Sequence, residues 1–277
     1  MTENPRANDF VYEKLHGPER QGKPRKSGLT VVADSGTEHW GWLGPESAKD
    51  FLEAASDYVD QIKIVALTGL MLPHDHIKKK VKLYKDYDVL PFVGGLLWEV
   101  GYLQNAVDEV MTHMRRLGIE ALEISENYVT LDWDTRLKEV NKFHKAGFKV
   151  ISEYGRKHPD VPMTIEDLDT AVTRLVDAGV DHVILEQGEI DLLAAEAPQV
   201  LNALGQQPWF DHVVLEPDTG QYPKQHCWMI QTFGPNVSMC NIRAGHVIRM
   251  EGFRRGLGRQ VHYHWIEDLV EKFEQEH

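Results

Sequence analysis

The sequence predicts an α/β protein: a single (β/α)8 TIM barrel with a polar N-terminal arm and an extra C-terminal helix. Three observations carry that expectation. Eight strand-like apolar runs alternate with stretches of helical periodicity. The length, 277 residues, suits one such barrel, which typically takes about 250. Four of the runs close on a glutamate, Glu123, Glu153, Glu186 and Glu216, at intervals of 30, 33 and 30 residues. That interval is one strand, one helix and two short loops. A parallel barrel gathers its strand ends on one face, so carboxylates recurring with this period converge there.

The expected strands are 28–34, 61–67, 88–94, 120–125, 149–154, 182–187, 212–216 and 236–241. Between them, Val107, Val110, Met111, Met114 and Leu117 form one apolar stripe at helical spacing; Ile165, Leu168, Val172, Leu175 and Val176 form another. Gly118, Gly147, Gly179 and Gly205 stand where left-handed helix caps belong, each shortly before the next strand. Eight alternating units match the closure number of the barrel. A doubly wound open sheet is the competing architecture, and no Gly-x-Gly-x-x-Gly turn follows the first strand to support dinucleotide binding. Residues 1–27, rich in charge, Pro and Gly, read as an arm or disordered lead, and 28–259 as the barrel. Residues 260–277 read as a helix with Trp265, Leu269, Val270 and Phe273 on one side, to pack under the barrel or on a neighbouring subunit of a homo-oligomer.

Composition narrows the function. Hydrophobic residues make up 42% and charged residues 26%, the balance of a soluble globular protein. No apolar run approaches the roughly 20 residues that span a bilayer. The polar start lacks the apolar core of a signal peptide, so the expected location is cytoplasmic. A net charge of −13 argues against nucleic acid or an anionic membrane as partner, and an anionic substrate then needs a local cluster of cations. Cys227 and Cys240 offer neither a disulfide framework nor metal-site spacing.

Strand ends and the loops after them carry Asp34, Glu123, Ser125, Glu126, Glu153, Arg156, Lys157, Glu186, Glu189, Glu216, Asn241 and Arg243. Lys63 lies inside the second strand, where an ammonium needs a partner. Glu123, Glu153, Glu186 and Glu216 suit a hard divalent cation such as Mg2+. The lysines and arginines suit oxyanions, with Asp34, Ser125 and Asn241 as further substrate-binding candidates. A metal beside fixed cations favours reactions that develop negative charge on an enolate. Plainer readings apply elsewhere. Asp75 caps a helix beginning near Ile77; Lys78-Lys79-Lys80 is a solvated helix face; His262, Tyr263 and His264 fall in the terminal helix. Taken alone, Arg156-Lys157-His158-Pro159 reads as a solvated loop.

Several segments together resemble the phosphosulfolactate synthase family. They are Lys23-Pro24-Arg25 with Gly28-Leu29-Thr30-Val31-Val32, Gly94-Gly95 followed by Leu97-Trp98-Glu99, and Glu123-Ile124-Ser125. Glu153-Tyr154-Gly155-Arg156-Lys157, Phe233-Gly234-Pro235-Asn236-Val237, Asn241-Ile242 and the stretch Glu251 to Leu257 follow in the same order, covering about residues 23–259. The resemblance implies a (β/α)8 fold and Mg2+-dependent addition of sulfite to phosphoenolpyruvate, giving (2R)-phospho-3-sulfolactate on the way to coenzyme M. It matches Lys157 to the second lysine of the family's Gly-Lys-Lys segment, implying the acid that protonates C2, with a pKa lowered by neighbouring cations. Lys63, Arg156 and Arg243 become candidates for the phosphate, carboxylate and sulfite charges. Three positions depart. The family's Asp-Lys-Gly is Asp34-Ser35-Gly36 here, its Glu-Gly-Arg-Glu is Glu186-Gln187-Gly188-Glu189, and an acidic residue near the last strand is His246. His246-Val247 resembles a pair in the plant heat-stress-associated branch of the superfamily. The alternatives are therefore a divergent barrel lyase acting on another phosphorylated or carboxylated substrate, including Schiff-base chemistry at Lys63 or Lys157, and a non-catalytic stress-related homologue.

Overall fold

A computed structural model describes residues 17–38, 41, 42, 44–65 and 67–277. Of the expected arm at 1–27, residues 1–16 lie outside the described residues. Eight parallel strands close into a barrel: β1 (Thr30–Asp34), β2 (Gln61–Ile64), β3 (Leu90–Val93), β4 (Ala121–Ser125), β5 (Lys149–Tyr154), β6 (Val183–Leu185), β7 (Val213–Leu215) and β8 (Ser238–Ile242). β1 pairs with both β2 and β8, which excludes the open sheet. A short hairpin, Thr37–Glu38 with Gly41–Trp42, follows β1.

The helices are α1 (Pro45–Ala55), α2 (His74–Asp86), α3 (Leu96–Leu103), α4 (Val107–Leu117), α5 (Trp133–Lys145), α6 (Ile165–Asp177), α7 (Gln187–Glu196), α8 (Pro198–Leu204), α9 (Lys224–Phe233), α10 (Val247–Arg254) and α11 (His264–Glu276). The stripe on α4 is buried throughout, and on α6 Leu168, Val172 and Leu175 are buried. Gly118, Gly147 and Gly179 take positive φ, as caps require. Gly205 does not: its φ of −63° is right-handed, because α8 ends in a further turn.

The strands explain how the mouth is built. Leu29, Val31, Phe92, Ala121, Ile151, Ile184, Val214 and Cys240 fill the barrel interior. Their neighbours Val32, Ile62, Leu122, Ile124, Val150, Val183 and Leu215 pack outward against the helices. With both faces buried, the strands read as nearly continuous apolar runs. Side chains alternate with period two, so the residue two beyond an inward apolar one also faces in. Ala121 leads to Glu123, Ile151 to Glu153, Ile184 to Glu186 and Val214 to Glu216. All four glutamates are buried at the C-terminal end of the barrel. In β8 the alternation is reset. Thr30 pairs with Met239 but Val32 pairs with Ile242, so β8 carries one extra residue. Asn241 absorbs it at φ 53°, a left-handed conformation that asparagine tolerates better than most residues. Ile242 then faces the helices while Asn241 lines the mouth.

The opposite face is fastened by arginines. Residues 17–27 are tied down where Arg20 meets Glu251 at 2.5 Å and Arg25 meets Asp60 at 3.0 Å. Arg254 donates to the Val237 and Pro235 carbonyls at 2.5 and 2.7 Å.

Four local expectations change. Lys80 is not solvated: it belongs with Ile77, Val81 and Tyr84 to the buried face of α2, at i, i+3, i+4 and i+7. Asp75 does not cap α2, which starts earlier, after Pro73; its side chain is exposed in the first turn. His262 and Tyr263 precede α11 in left-handed conformations rather than joining it. No residue of α11 is buried, so it does not pack under the barrel.

Candidate active site

A cavity of about 450 Å3 opens at the C-terminal mouth, lined by Lys63, Glu123, Glu153 and Lys157 on one side and by Ser35, Thr219, Asn241 and Arg243 on the other. Lys63, on β2, reaches across the barrel. Its ammonium lies 3.0 Å from Glu123, 3.7 Å from Glu153 and 3.8 Å from Glu216. Lys157, in the loop after β5, lies 2.5 Å from Glu186, 3.6 Å from Glu216 and 3.9 Å from Glu153. Glu153 and Glu216 are thus shared between two ammoniums. Cys240 closes the floor, its thiol 3.8 Å from Glu216.

Four carboxylates against two ammoniums leave an excess of two negative charges when all ionise. Burial of that excess decides the protonation. Burial and the neighbouring Glu153 push Glu123 up to about 8. Burial and Glu153 push Glu186 up to about 7, and burial raises Glu216 well above the carboxylate range. Glu153 goes the other way: burial opposes ionisation, but Lys63 and Lys157 together hold it below its ordinary value. For Lys63, burial is outweighed by Glu123, Glu153 and Glu216, and its pKa stands well above normal. Lys157 also moves upward, because Glu216, Glu153 and Glu186 outweigh its partial burial. This reverses the expected lowering by cations: the nearest charges are carboxylates.

Glu153, Glu186 and Glu216 each present an oxygen within 4.8 Å of the others. All are buried and all are hard oxygen donors, the ligand type that a cation such as Mg2+ takes. Glu123 stands apart from that trio, accepting from the Gly95 amide at 2.7 Å.

Three expected substrate-binding residues stand outside the cavity. Asp34 is the residue after inward-facing Ala33, so it points to the helices. There it meets Lys80 at 2.5 Å and the Tyr84 hydroxyl at 2.7 Å. Ser125 is fully buried beneath Gly95, where a Cβ would come within 2.4 Å of its side chain, and it donates to Glu99. Arg156 is exposed on the rim and donates to Thr130. Glu126 pairs with Arg136, and Glu189 accepts from the Arg156 amide at 2.9 Å.

Sequence reasoning passed over Glu99 and Asn127 as site residues. Glu99 accepts from the backbone amides of Asn127, Tyr128 and Val129 at 2.9, 3.0 and 3.1 Å and fixes the loop after β4. That loop aims Asn127 at the Gly155 carbonyl, 3.3 Å away, and at Glu186, 3.4 Å away. A carboxylate inside the apolar run of α3 was the available signal for Glu99; nothing local marks Asn127. Gly188, where the family pattern has arginine, has no room for a side chain: a Cβ would lie 2.6 Å from the Lys157 carbonyl and 2.8 Å from that of Arg156.

Fold and site define a single (β/α)8 barrel with a carboxylate–ammonium cluster at its C-terminal mouth, where barrel enzymes keep their catalytic groups. Residues 18–259 match the family model for (2R)-phospho-3-sulfolactate synthase (ComA). The phosphosulfolactate synthase of Methanothermobacter thermautotrophicus is 33% identical over 249 residues, 87% of this chain and 93% of that protein. The phosphosulfolactate synthase of Methanocaldococcus jannaschii is 31% identical over 261 residues, 91% of this chain and 96% of that protein. The chain belongs to the phosphosulfolactate synthase family. Among solved structures, N-acetylneuraminate lyase from Fusobacterium nucleatum superposes with a TM-score of 0.51 at 13% identity, over 89% of this chain and 82% of that one; the likeness is one of fold.

Proposed function

We propose that this protein is a phosphosulfolactate synthase, a carbon–sulfur lyase that adds sulfite to phosphoenolpyruvate with Mg2+ as cofactor and so serves coenzyme M biosynthesis in the cytoplasm. The observation that carries the reading is Lys157, half-enclosed among Glu153, Glu186 and Glu216 at a mouth that also offers Arg243, Asn241 and Thr219. Sulfite sulfur bonds to C3 of the enol phosphate, the C2–C3 π pair moves toward the carboxylate, and C2 takes a proton from the Lys157 ammonium. Solvent returns that proton, since the side chain is 29% exposed. Arg243 and Thr219 come from the loops after β8 and β7, the sector where barrels commonly bind phosphate, and are assigned to the phosphate. Lys63, held protonated, supplies fixed positive charge at the depth of the cavity. Glu153, Glu186 and Glu216 would hold Mg2+, which supplies positive charge for the carboxylate oxygens of the substrate.

The test is incubation of the purified protein with phosphoenolpyruvate, sulfite and Mg2+, with phosphosulfolactate read by mass spectrometry. Product from wild type and none from Lys157→Ala supports the reading; no product across pH and divalent metals sinks it. A second reading, a divergent lyase for another phosphorylated or carboxylated substrate, is favoured by Ser35 and Gly188, which remove two cations from the family pattern. Turnover of other enol phosphates or 2-oxo acids without sulfite would select it, and borohydride trapping at Lys63 or Lys157 would mark its Schiff-base form.

A further inference from the structure

Two one-turn helices carry the residues assigned to the phosphate. Thr219–Gln221 follows β7 and Ala244–His246 follows β8. Thr219 opens the first turn, and Arg243 immediately precedes the second. There Arg243 donates to the Thr219 hydroxyl at 3.3 Å. The two turns meet again at their other ends. Tyr222, the residue after Gln221, and His246 lie face to face, with ring centroids 3.6 Å apart and planes within 8° of parallel. The His246 amide donates back to the Arg243 carbonyl at 2.9 Å, so the imidazole and the guanidinium belong to one turn.

The Tyr222 ring has support of its own. His226, 1% exposed, meets it edge-on at 5.0 Å, and Phe253 lies 6.4 Å away. Burial pushes the Tyr222 phenol up to about 12, so it stays neutral near pH 7. The loop after β7 is also pinned from another side. Gln225 on α9 accepts from the Asp218 amide at 2.5 Å and donates to Asp191 on α7 at 3.0 Å. That loop is thus the fixed partner, and Tyr222 is the face on which the turn after β8 rests. Neither Tyr222 nor His246 lines the cavity, so their stack acts on a ligand through Thr219 and Arg243. Where His246 stands the family pattern has an acidic residue, and a carboxylate has no ring to lay on Tyr222.

We infer that Tyr222 and His246 are positioning residues, whose stack holds Arg243 and Thr219 in one register so that a phosphate meets them already ordered. The inference rests on the assignment of those two residues to the phosphate of the substrate. Arginine has many rotamers, and ordering it at the moment of binding weakens affinity; fixing its turn beforehand removes part of that cost. The Arg243–Thr219 bond, at 3.3 Å, is longer than most hydrogen bonds and too weak to fix the turn by itself. A stacked aromatic pair supplies what that bond lacks, through ring overlap that depends on shape rather than on charge.

The test uses the full-length protein with two readouts: calorimetric binding of inorganic phosphate, and steady-state turnover of phosphoenolpyruvate with saturating sulfite and Mg2+. His246→Ala and Tyr222→Leu should each weaken phosphate binding and raise KM for phosphoenolpyruvate about tenfold. In both, kcat should stay within about twofold of wild type. The double variant should be little worse than either single one, because both remove the same stack. His246→Phe keeps a ring and should restore both readouts. Tyr222 is half-buried, so where Tyr222→Leu melts early, His246→Ala against His246→Phe decides. Wild type that does not bind phosphate, His246→Ala that binds it normally, or His246→Phe as weak as His246→Ala overturns the inference. The phosphate readout separates this from the reaction itself. Phosphate binding that depends on the His246 ring, with no phosphosulfolactate formed, sinks the lyase and keeps the stack; normal turnover with binding indifferent to that ring does the reverse.

Discussion

Lys80→Met decides whether Asp34 is a structural carboxylate or a substrate ligand. Asp34 and Lys80 are 4% and 2% exposed, and the ammonium sits 2.5 and 2.6 Å from the two carboxylate oxygens. Methionine keeps the bulk of the stem and removes the charge. The carboxylate then retains only the Tyr84 hydroxyl at 2.7 Å and the Gly36 amide at 3.0 Å. Breaking a buried pair by removing one partner costs about 3–5 kcal/mol. For a barrel of this size each kcal/mol lowers the melting temperature by about 2–4 °C, so the expected fall is about 10 °C. Adding Asp34→Asn removes the stranded charge, leaves an oxygen for Tyr84 and should recover much of the loss. Below the melting range, Lys80→Met should turn over phosphoenolpyruvate and sulfite at close to the wild-type rate. A Lys80→Met protein that melts within about 2 °C of wild type while turnover collapses would refute the reasoning and return Asp34 to the site.

Glu99→Ala strands three backbone amides of the loop after β4, so it should cost about 3–6 kcal/mol in urea unfolding and lower turnover even where the protein stays folded; an unchanged midpoint would remove the clamp. His182 and His226 are both held down to about 4, by burial first and by His212 or His246 next. The unfolded chain takes up their protons near 6.5 and the folded one only near 4, so each lowers stability as pH falls through that window and has no further effect below it, by about 3 kcal/mol at most. His182→Gln should therefore flatten the stability profile between pH 6.5 and 4, and an identical profile counts against the burial argument. Mg2+ should bind wild type by calorimetry without substrate, and Glu186→Gln should weaken that binding about tenfold or more; equal affinity would place the ion elsewhere.

The barrel was legible because its causes are periodic. Alternating strand and helix patterns, and four glutamates at one interval, are properties of the chain read in order. The glutamates do converge, and period-two alternation on the strands is the reason. Asp34 was misplaced by one residue of that same alternation, because an acidic residue at a strand end looks alike whichever face it takes. Lys80 was hidden inside a lysine run, although its spacing from Ile77 and Tyr84 marks the buried face. Asn127 was not legible at all. It is placed by a carboxylate 28 residues earlier in the chain, on α3, and no local pattern encodes that contact.

The mouth divides by charge into two sectors. From β4 to β7 it is acidic, with Glu123, Glu153, Glu186 and Glu216; from β8 round to β1 it offers Arg243, Asn241 and Ser35, and Lys63 rises between them. An anion placed against the acidic sector meets net repulsion unless that sector first gains positive charge. Protons meet part of the need, because burial and then Glu153 raise Glu186 to about 7 and Glu123 to about 8. Protonated carboxyls remove repulsion and leave Lys63 and Lys157 to attract the anion. On the proposed reading, a divalent cation on Glu153, Glu186 and Glu216 would take the place of those protons and face the anion with its own charge. The upward shift of Lys157 follows from the same excess, so any cation on Glu153, Glu186 and Glu216 relaxes the lysine's hold on its proton. Under the proposed Mg2+ reading, metal affinity and lysine acidity would be linked through the three carboxylates that both use, and Glu186→Gln should change both at once.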